Sequence, residues 1–269
     1  MENKERVYRT VIVVLIALIL VLGLIMFLRK PPSPAKVKPP GRITRPVKVT
    51  GARIAIVIDD TGNSRVNFDI IEGLKKYPVT FSIIPGLNFS EGAARELTAL
   101  GFQVILHLPM EPKEKMDIEP NTILTSMDES QISSIVDHDL ASLPQVRGIN
   151  NHMGSKVTED AKTLSTVLDL IKNKHLFFLD SFVTVNSLGK QLAEEKKIRF
   201  VKRDVFLDNH PDPSYIRQQI EQLKKKARLN GQAVGIGHDR KNTLEVLKEE
   251  LPGMENEGYK FVFVSDLAR

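Results

Sequence analysis

The sequence predicts an α/β fold with a parallel sheet, preceded by a hydrophobic segment and a polar linker. Three observations support this prediction. Short apolar runs alternate with helical patterns through most of the chain, residues 10–28 carry no charged side chain, and residues 31–50 combine prolines with cations. Strands that alternate with helices are typical of parallel sheets, whose connections cross over through helices. Either an irregular (β/α) barrel or a doubly wound open sheet satisfies this pattern.

The N-terminal segment, residues 1–30, is predicted to be an uncleaved signal-anchor. As a helix, the run of about 19 uncharged residues from Thr10 to Leu28 spans a hydrocarbon core of about 30 Å. The run continues into RKPPSPAKVKPP, which does not resemble a good cleavage site. Residues 31–50 have few apolar side chains, so they are predicted to form an extended, solvated linker. The body is then residues 51–269.

The net charge of +5 is unevenly distributed along the chain. Residues 1–50 contain ten Lys and Arg against two Glu, whereas residues 51–269 contain 28 Lys and Arg against 31 Asp and Glu, a net charge of −3. Because the body is mildly acidic, we expect no nucleic-acid binding; the cations beside the apolar span suit anionic lipid headgroups. The chain has no cysteine, so any metal must be held by oxygen and nitrogen ligands.

The body alternates eight predicted strands with seven predicted helices. The strands are expected at 53–58, 79–84, 102–107, 146–149, 176–179, 198–202, 233–237 and 260–264. The helices are expected at 64–76, 89–100, 128–142, 158–174, 187–196, 212–229 and 241–257. The pattern Ser126-x-x-Glu129 predicts a capping box at the third helix. Residues 108–126, with three prolines, are predicted to form a functional loop.

Polar side chains follow the predicted strands at their carboxyl ends. The acids Asp59 and Asp60 follow the first strand, and the histidines His107, His152 and His238 follow three later ones. The carboxyl ends of parallel strands surround the reaction site in barrels and open sheets alike, so we expect these side chains to converge. One carboxylate and two imidazoles leave open positions on a divalent ion, which polarises a carbonyl and acidifies water. A second carboxylate and a further histidine then supply base and acid, so the set predicts metal-assisted hydrolysis.

These motifs resemble those of the divergent polysaccharide deacetylase family, a branch of the carbohydrate esterase or chitooligosaccharide-deacetylase-like superfamily. The resemblance covers residues 51–269 and rests on IDDTG at 58–62, ILHLPMEP at 105–112, GINNHMGS at 148–155, FFLDS at 177–181, RDVFLD at 203–208 and GIGH at 235–238. It implies an irregular (β/α) barrel of about seven parallel strands. It also implies one divalent metal ion, expected to be zinc.

The resemblance also implies roles for individual residues. Asp59 corresponds to the base, Asp60 to a metal ligand and His238 to the acid. The superfamily binds its metal with His-x-x-x-His, and here His107 is followed at the second position by Glu111. The third ligand is therefore expected to be His152, with Glu111 as the alternative. Residues expected to bind substrate or support the ligands are Asn151, Asp180, Ser181, Arg203 and Asp204. Asp180 is expected to orient a histidine, and Arg203 either steadies an oxyanion or pairs with Asp204 or Asp208.

The expected reaction is removal of N- or O-acetyl groups from an envelope polysaccharide or oligosaccharide. The alternative is a catalytically silent envelope protein that binds a glycan or another protein. The Glu111 substitution and the scarcity of aromatic residues, with no Trp and four Tyr, favour this alternative. An exported glycan places the body outside the cytoplasm, anchored in the inner membrane through residues 10–28. The seven cations after the span, against three before it, indicate the opposite orientation under the positive-inside rule.

Overall fold

The computed structural model describes residues 51–269, a region of alternating strands and helices. The strands are β1 Arg53–Thr61, β2 Val79–Ile83, β3 Gln103–Met110, β4 Gly148–Met153, β5 Phe177–Asp180, β6 Phe200–Lys202, β7 Val205–Phe206, β8 Gln232–His238 and β9 Lys260–Phe261. The α-helices are α1 Phe68–Glu72, α2 Ser90–Ala99, α3 Glu129–Ser142, α4 Ala161–Asn173, α5 Gly189–Lys196, α6 Pro213–Asn230 and α7 Lys241–Glu257. Short 3₁₀ helices occupy Val157–Glu159 and Val264–Asp266.

All strands belong to one sheet, and every pairing in it is parallel. The order is β6-β5-β4-β3-β2-β1-β8-β7, and β9 lies off this path, paired with Arg53 and Ile54 at the start of β1. The path has two ends, β6 and β7, so in the described part of the chain the sheet curls into a half-barrel. This confirms the parallel α/β prediction and favours the barrel over the doubly wound sheet.

The two faces of the sheet carry two separate apolar layers. Side chains of β1 alternate between them: Ile54, Ile56 and Ile58 face the outer layer of helices, whereas Ala55 and Val57 face the inner one. The inner layer gathers side chains from β1, β3, β5, β6 and β8 into one cluster, as expected of a concave face. Strand side chains alternate with period two, so every second residue of a strand faces the inner layer. The side chain two positions after the last inner-layer residue of each strand is therefore expected to face inward at the carboxyl end.

The C-terminal segment closes the amino-terminal end of the inner layer. Val264 and Leu267 are buried in the inner cluster. The Arg269 backbone N–H and C=O exchange hydrogen bonds of 3.1 and 2.8 Å with Phe200 of β6. The base of the half-barrel is therefore filled, and its carboxyl end is left for the site.

The predicted elements of the body are confirmed with small shifts at their ends. All seven predicted helices are present, although α1 is shorter than the predicted 64–76. The sheet has nine strands in the described region, against eight predicted apolar runs and the about seven strands that the resemblance implies: β7 was not predicted, and the strand predicted at 260–264 is the two-residue β9. The predicted capping box at Ser126 and Glu129 was wrong: α3 begins after Asp128, whose carboxylate accepts from the Gln131 N–H while Gln131 accepts from the Asp128 N–H.

Within residues 51–269, no helix is both long enough and apolar enough to cross a membrane. The span predicted at residues 10–28 and the linker predicted at 31–50 lie outside the described residues.

Candidate metal centre and active site

Strand register brings the predicted site residues to one edge of the sheet. His107 of β3 is paired with Asn150 of β4, two positions before His152. Asp59 of β1 is paired with His238 of β8. Each of these residues is on the inner face of its strand, beyond the apolar residues of the inner layer. They therefore lie together at the carboxyl end of the half-barrel.

The adjacent acids reach the same site because β1 is irregular at its end. Neighbouring residues of a regular strand point to opposite faces. In β1 the pairing with β2 shifts register between Ile58 and Thr61, and Asp60 adopts a left-handed φ of 60°. Both carboxylates consequently approach His107: its Nε2 is 3.7 Å from Asp59 Oδ2 and 3.2 Å from Asp60 Oδ1. Such backbone conformations are unfavourable for a non-glycine residue and concentrate at functional sites.

Three of the predicted ligands present their donor atoms to one another. Asp60 Oδ1 lies 3.2 Å from His107 Nε2 and 3.1 Å from His152 Nδ1, and the two nitrogens are 3.1 Å apart. Asp60, His107 and His152 are the group in the described chain whose spacing suits a metal ion.

Both the chemistry and the spacing of this cluster fit a divalent ion. Ligands about 2.0–2.1 Å from a tetrahedral zinc ion are about 3.3 Å from one another. Asp60 Oδ1 is buried and has no hydrogen bond of acceptable geometry, although two imidazole nitrogens lie within 3.2 Å. A cation between these atoms would satisfy all three, and one carboxylate with two imidazoles is a donor set used by zinc and related metals.

Burial and charge act in opposite directions on the ionisable groups of the cluster. Burial raises the pKa of Asp59 above its ordinary value, although the nearby His107 lowers it. Burial also raises the pKa of Asp60, but contact with His107 and His152 outweighs burial and holds that pKa below its usual range. For His107, burial lowers the pKa, but Asp59 and Asp60 outweigh it and raise the pKa to about 9. The cluster therefore favours a positive charge beside the two carboxylates.

A buried amide connects the candidate base to a candidate ligand. Asn150 Nδ2 donates to Asp59 Oδ1 over 2.9 Å, which turns Asn150 Oδ1 toward His107 Nδ1, 2.8 Å away. The Ser82 hydroxyl also donates to Asn150 Oδ1. With the proton of His107 on Nδ1, its Nε2 lone pair would be available to a metal ion held jointly with Asp60.

His238 approaches the cluster from the end of β8, held by a buried carboxylate. Its Nε2 is 4.0 Å from Asp60 Oδ2, and its Nδ1 is 2.7 Å from Asp208 Oδ1. Asp208 is fully buried, and its Oδ2 accepts from the His238 N–H and the Thr243 hydroxyl. Burial lowers the pKa of His238, but Asp208 outweighs it and raises that pKa. Nε2 is thus the ring nitrogen that faces the site.

Known proteins are similar to this chain over most of its described residues. The model of the divergent polysaccharide deacetylase family matches residues 56–268. The chain belongs to that family. It is 31% identical over 201 residues to the uncharacterized protein YibQ of Escherichia coli K12, a match that covers 75% of this chain and 63% of YibQ. The chain therefore spans less than two thirds of that relative's length.

Solved structures share the fold at lower identity. The uncharacterized protein ATU2773 of Agrobacterium tumefaciens C58 has a TM-score of 0.76 and 23% identity, with coverage of 81% of this chain and 90% of that one. A mutant of BA3943, a CE4 family pseudoenzyme of Bacillus anthracis, with restored enzymatic activity has a TM-score of 0.51 and 16% identity. That match covers 83% of this chain and 68% of the mutant. The deacetylase fold is thus established for this member of the family.

Glu111, the alternative ligand, does not reach the cluster. Its Oε1 lies 2.6 Å from Lys156 Nζ, and its Oε2 accepts from the N–H and the hydroxyl of Thr125 at 2.8 and 2.7 Å. These contacts turn the Glu111 carboxylate toward the β3–α3 loop, so the position that follows His107 in the sequence pattern has a structural role here.

Two of the predicted supporting residues lie on the outer face instead of in the site. Asp180 does not orient a histidine: its carboxylate accepts from the Phe182 N–H and the Ser187 hydroxyl. Asn151 points away from its neighbour Asn150, and its Nδ2 donates to the Met153 carbonyl. Both residues fix the course of the loops after β4 and β5.

The remaining supporting residues organise the backbone around the site. Ser181 donates through Oγ to the Asn151 carbonyl and accepts from Asn150 Nδ2. Arg203 forms neither expected ion pair; its Nε and Nη2 donate to the carbonyls of Ser181 and Phe182 at 2.6 and 2.7 Å. Asp204 accepts from the Val234 N–H of β8, away from the cluster. An oxyanion role for Arg203 therefore has no support in this arrangement.

Four residues of the site were absent from the sequence-based set of candidate residues. They are Ser82, Glu119, Asn150 and Asp208. Asn150 had an available signal, because it shares the inner face with His152 and Asn151 does not. Glu119 and Asp208 lie beyond their strands, where no spacing rule identifies a contact.

Proposed function

We propose that this protein is a membrane-anchored, metal-dependent deacetylase that removes acetyl groups from a cell-envelope glycan. The observation that supports it is the triangle of Asp60, His107 and His152 donor atoms, with Asp59 close to His107 and His238 close to Asp60. The family of the chain supports a carbohydrate substrate. The predicted anchor at residues 10–28 supports a membrane location, and an exported glycan as the substrate would place the body outside the cytoplasm.

The site residues divide the work of hydrolysis between them. Asp60, His107 and His152 would hold a divalent ion, which we take to be zinc, and the bound ion would supply polarisation of the acetyl carbonyl and a lower pKa of water. Asp59, whose pKa is raised by burial and whose Oδ1 is fixed by Asn150, accepts the proton of the attacking water.

The leaving group receives its proton from His238. The protonated imidazolium of His238 donates from Nε2 to the departing amine nitrogen or alkoxide oxygen, and Asp208, which accepts from Nδ1–H, orients the ring and stabilises its charge. The products are acetate and the free amine or hydroxyl of the sugar.

A catalytically silent role is the second candidate. The fold is shared with a CE4 pseudoenzyme, and the rim of the site offers few aromatic side chains for stacking sugars. The exposed large hydrophobic side chains near the strand ends are Val66, Phe89, Met116, Ile118, Val183 and Val185, of which one is aromatic. In this role the ion would be structural.

Metal analysis combined with an acetate assay separates the two candidates. The full chain is purified in detergent, and acetate release is measured from N-acetylated oligosaccharides and from O-acetyl esters. We expect stoichiometric metal and turnover, with Asp59→Asn keeping the metal and losing about 10²–10⁴-fold in rate. Stoichiometric metal without turnover on either substrate class would support the silent role.

Separate experiments test the assignment of the metal ligands and the location of the body relative to the membrane. Asp60→Ala and His152→Ala are expected to lose the metal, whereas Glu111→Gln is expected to keep it; the reverse pattern would overturn the assignment. A topology reporter fused after Arg269 distinguishes a periplasmic body from a cytoplasmic one.

A further inference from the structure

An acidic side chain approaches the candidate metal centre from the loop after β3. Glu119 Oε1 lies 3.3 Å from His152 Nε2. Glu119 Oε2 and His152 Nε2 are both buried and lack a hydrogen bond of acceptable geometry. Because an unpaired polar group away from water is costly, the buried His152 Nε2 is stabilised by the Glu119 carboxylate, whose Oε1 lies 3.3 Å away.

The loop is built to hold Glu119 in place. At its neck, the Glu111 N–H donates to the Ile123 carbonyl over 2.8 Å, and the Ile123 N–H donates to the Pro109 carbonyl over 2.9 Å. Near its return, the N–H and the hydroxyl of Thr122 donate to the Glu119 carbonyl at 3.1 and 2.7 Å. Thr122 is 2% exposed. The backbone of Glu119 is therefore fixed by contacts independent of its side chain.

The two nitrogens of His152 face different partners. Nδ1 lies 3.1 Å from both Asp60 Oδ1 and His107 Nε2, whereas Nε2 faces Glu119. A neutral imidazole carries one proton, and a carboxylate accepts hydrogen bonds but does not donate them. Glu119 thus favours the tautomer of His152 with its proton on Nε2. In that tautomer the Nδ1 lone pair is available on the side of the ring where Asp60 and His107 lie.

We propose that Glu119 is a positioning residue that fixes His152 in the tautomer needed to bind the metal through Nδ1. This inference rests on the proposed function, because it takes Asp60, His107 and His152 as ligands. Glu119 lies across the imidazole ring from Asp60, so it supports a ligand without belonging to the ligand set. Asn150 supports His107 in the same way, through the ring nitrogen that faces away from the cluster.

Zinc affinity of loop variants tests the proposal. The full chain is purified in detergent, and zinc binding is measured by competition with a chromophoric chelator. We expect Glu119→Ala to weaken zinc binding about 10–100-fold. Glu119→Gln is expected to stay within a few-fold of the wild type, because an amide carbonyl also accepts the Nε2 proton. Asp117→Ala is the matched control, an exposed acid of the same loop with no side-chain hydrogen bond or ion pair in the described chain.

A spectroscopic readout separates positioning from general support of the fold. In zinc-loaded protein labelled with ¹⁵N-histidine, we expect one histidine bound through Nδ1 with its proton on Nε2, and His152→Ala removes that signal. Glu119→Ala is expected to lose or broaden the Nε2–H signal, while the unfolding midpoint of the metal-free protein stays unchanged.

Three results would overturn the proposal. Equal zinc affinity of Glu119→Ala and the wild type would remove the positioning role and leave the proposed function standing. Glu119→Gln as weak as Glu119→Ala would show that the charge of Glu119 acts on the ion directly. A wild-type protein that binds no zinc would overturn the proposed function and this inference with it.

Discussion

Replacing Asp139 by Asn is expected to stabilise the protein at neutral and alkaline pH. Asp139 lies on α3, is 1% exposed, and has no hydrogen bond of acceptable geometry on either carboxyl oxygen. Burial raises its pKa from 3.8 to about 6. At neutral pH the folded protein must therefore hold an ionised carboxylate whose burial is only partly offset by His138 and Asn121.

The magnitude follows from that pKa difference. A rise of about two pKa units corresponds to about 3 kcal/mol at 1.36 kcal/mol per unit, and partial screening by nearby water reduces this to about 1–2 kcal/mol. The folded state binds the Asp139 proton more tightly than the unfolded state, so its contribution to stability falls as pH rises from about 4 to about 6. Above that window the penalty is fully present.

Urea unfolding of the wild type and Asp139→Asn at pH 4.5 and pH 8 measures this difference. The variant is expected to gain stability at pH 8, and the gain is expected to shrink at pH 4.5. Asp137→Asn is the control on the same helix, since the Asp137 carboxylate is half exposed and pairs with Lys174 Nζ at 2.8 Å. No gain for Asp139→Asn at pH 8, or a gain independent of pH, would refute the assignment of Asp139 as a buried acid whose burial is only partly offset.

Three further substitutions test the packing, a helix start and the acid. Gly148→Ala places a methyl group inside van der Waals contact of the Phe177 ring and is expected to cost about 1–3 kcal/mol in thermal or urea unfolding; an unchanged midpoint would contradict this. Asp128→Ala removes the capping-box hydrogen bond from the Gln131 N–H to the Asp128 carboxylate and is expected to cost about 1 kcal/mol, which Asp128→Ser should partly restore. Asp208→Asn is expected to lower acetate release by up to about 10²–10⁴-fold with metal content unchanged, because His238 loses its orienting carboxylate; loss of metal instead would place Asp208 in the metal site.

The fold was predictable because its signals are local and repeated. Apolar runs such as Ile54–Ile58 alternate with amphipathic stretches, and each pair makes one strand and one helix of a parallel sheet. The sequence pattern predicted Asp59, His107, His152 and His238 at the carboxyl ends of strands, and therefore at one edge of the sheet. The structure brings them together at that edge. The curvature of the half-barrel depends on how side chains from many strands pack on the two faces of the sheet. It could not be predicted from any single segment of the sequence.

The residues of the site were predictable only where strand side chains alternate regularly between the two faces of the sheet. Counting inward from Leu179 places Asp180 on the outer face, and counting from His152 selects Asn150 over Asn151. The irregularity at Asp60 breaks that count, because it turns an outward residue inward through a left-handed φ. Glu119 reaches His152 through the course of a loop, which tertiary contacts determine.

The position of β1 in the sheet has a consequence for biosynthesis. Its neighbours are β2, which follows directly, and β8 and β9, which are made more than 170 residues later. While the polypeptide emerges, the apolar strand Ile54–Ile58 keeps an unpaired edge, and such edges invite association with other chains. Maturation of the hydrolytic centre is therefore a late event, since Asp59 meets His238 only when β8 docks, and crowded or chaperone-poor conditions are expected to reduce the yield of active molecules more than their final stability.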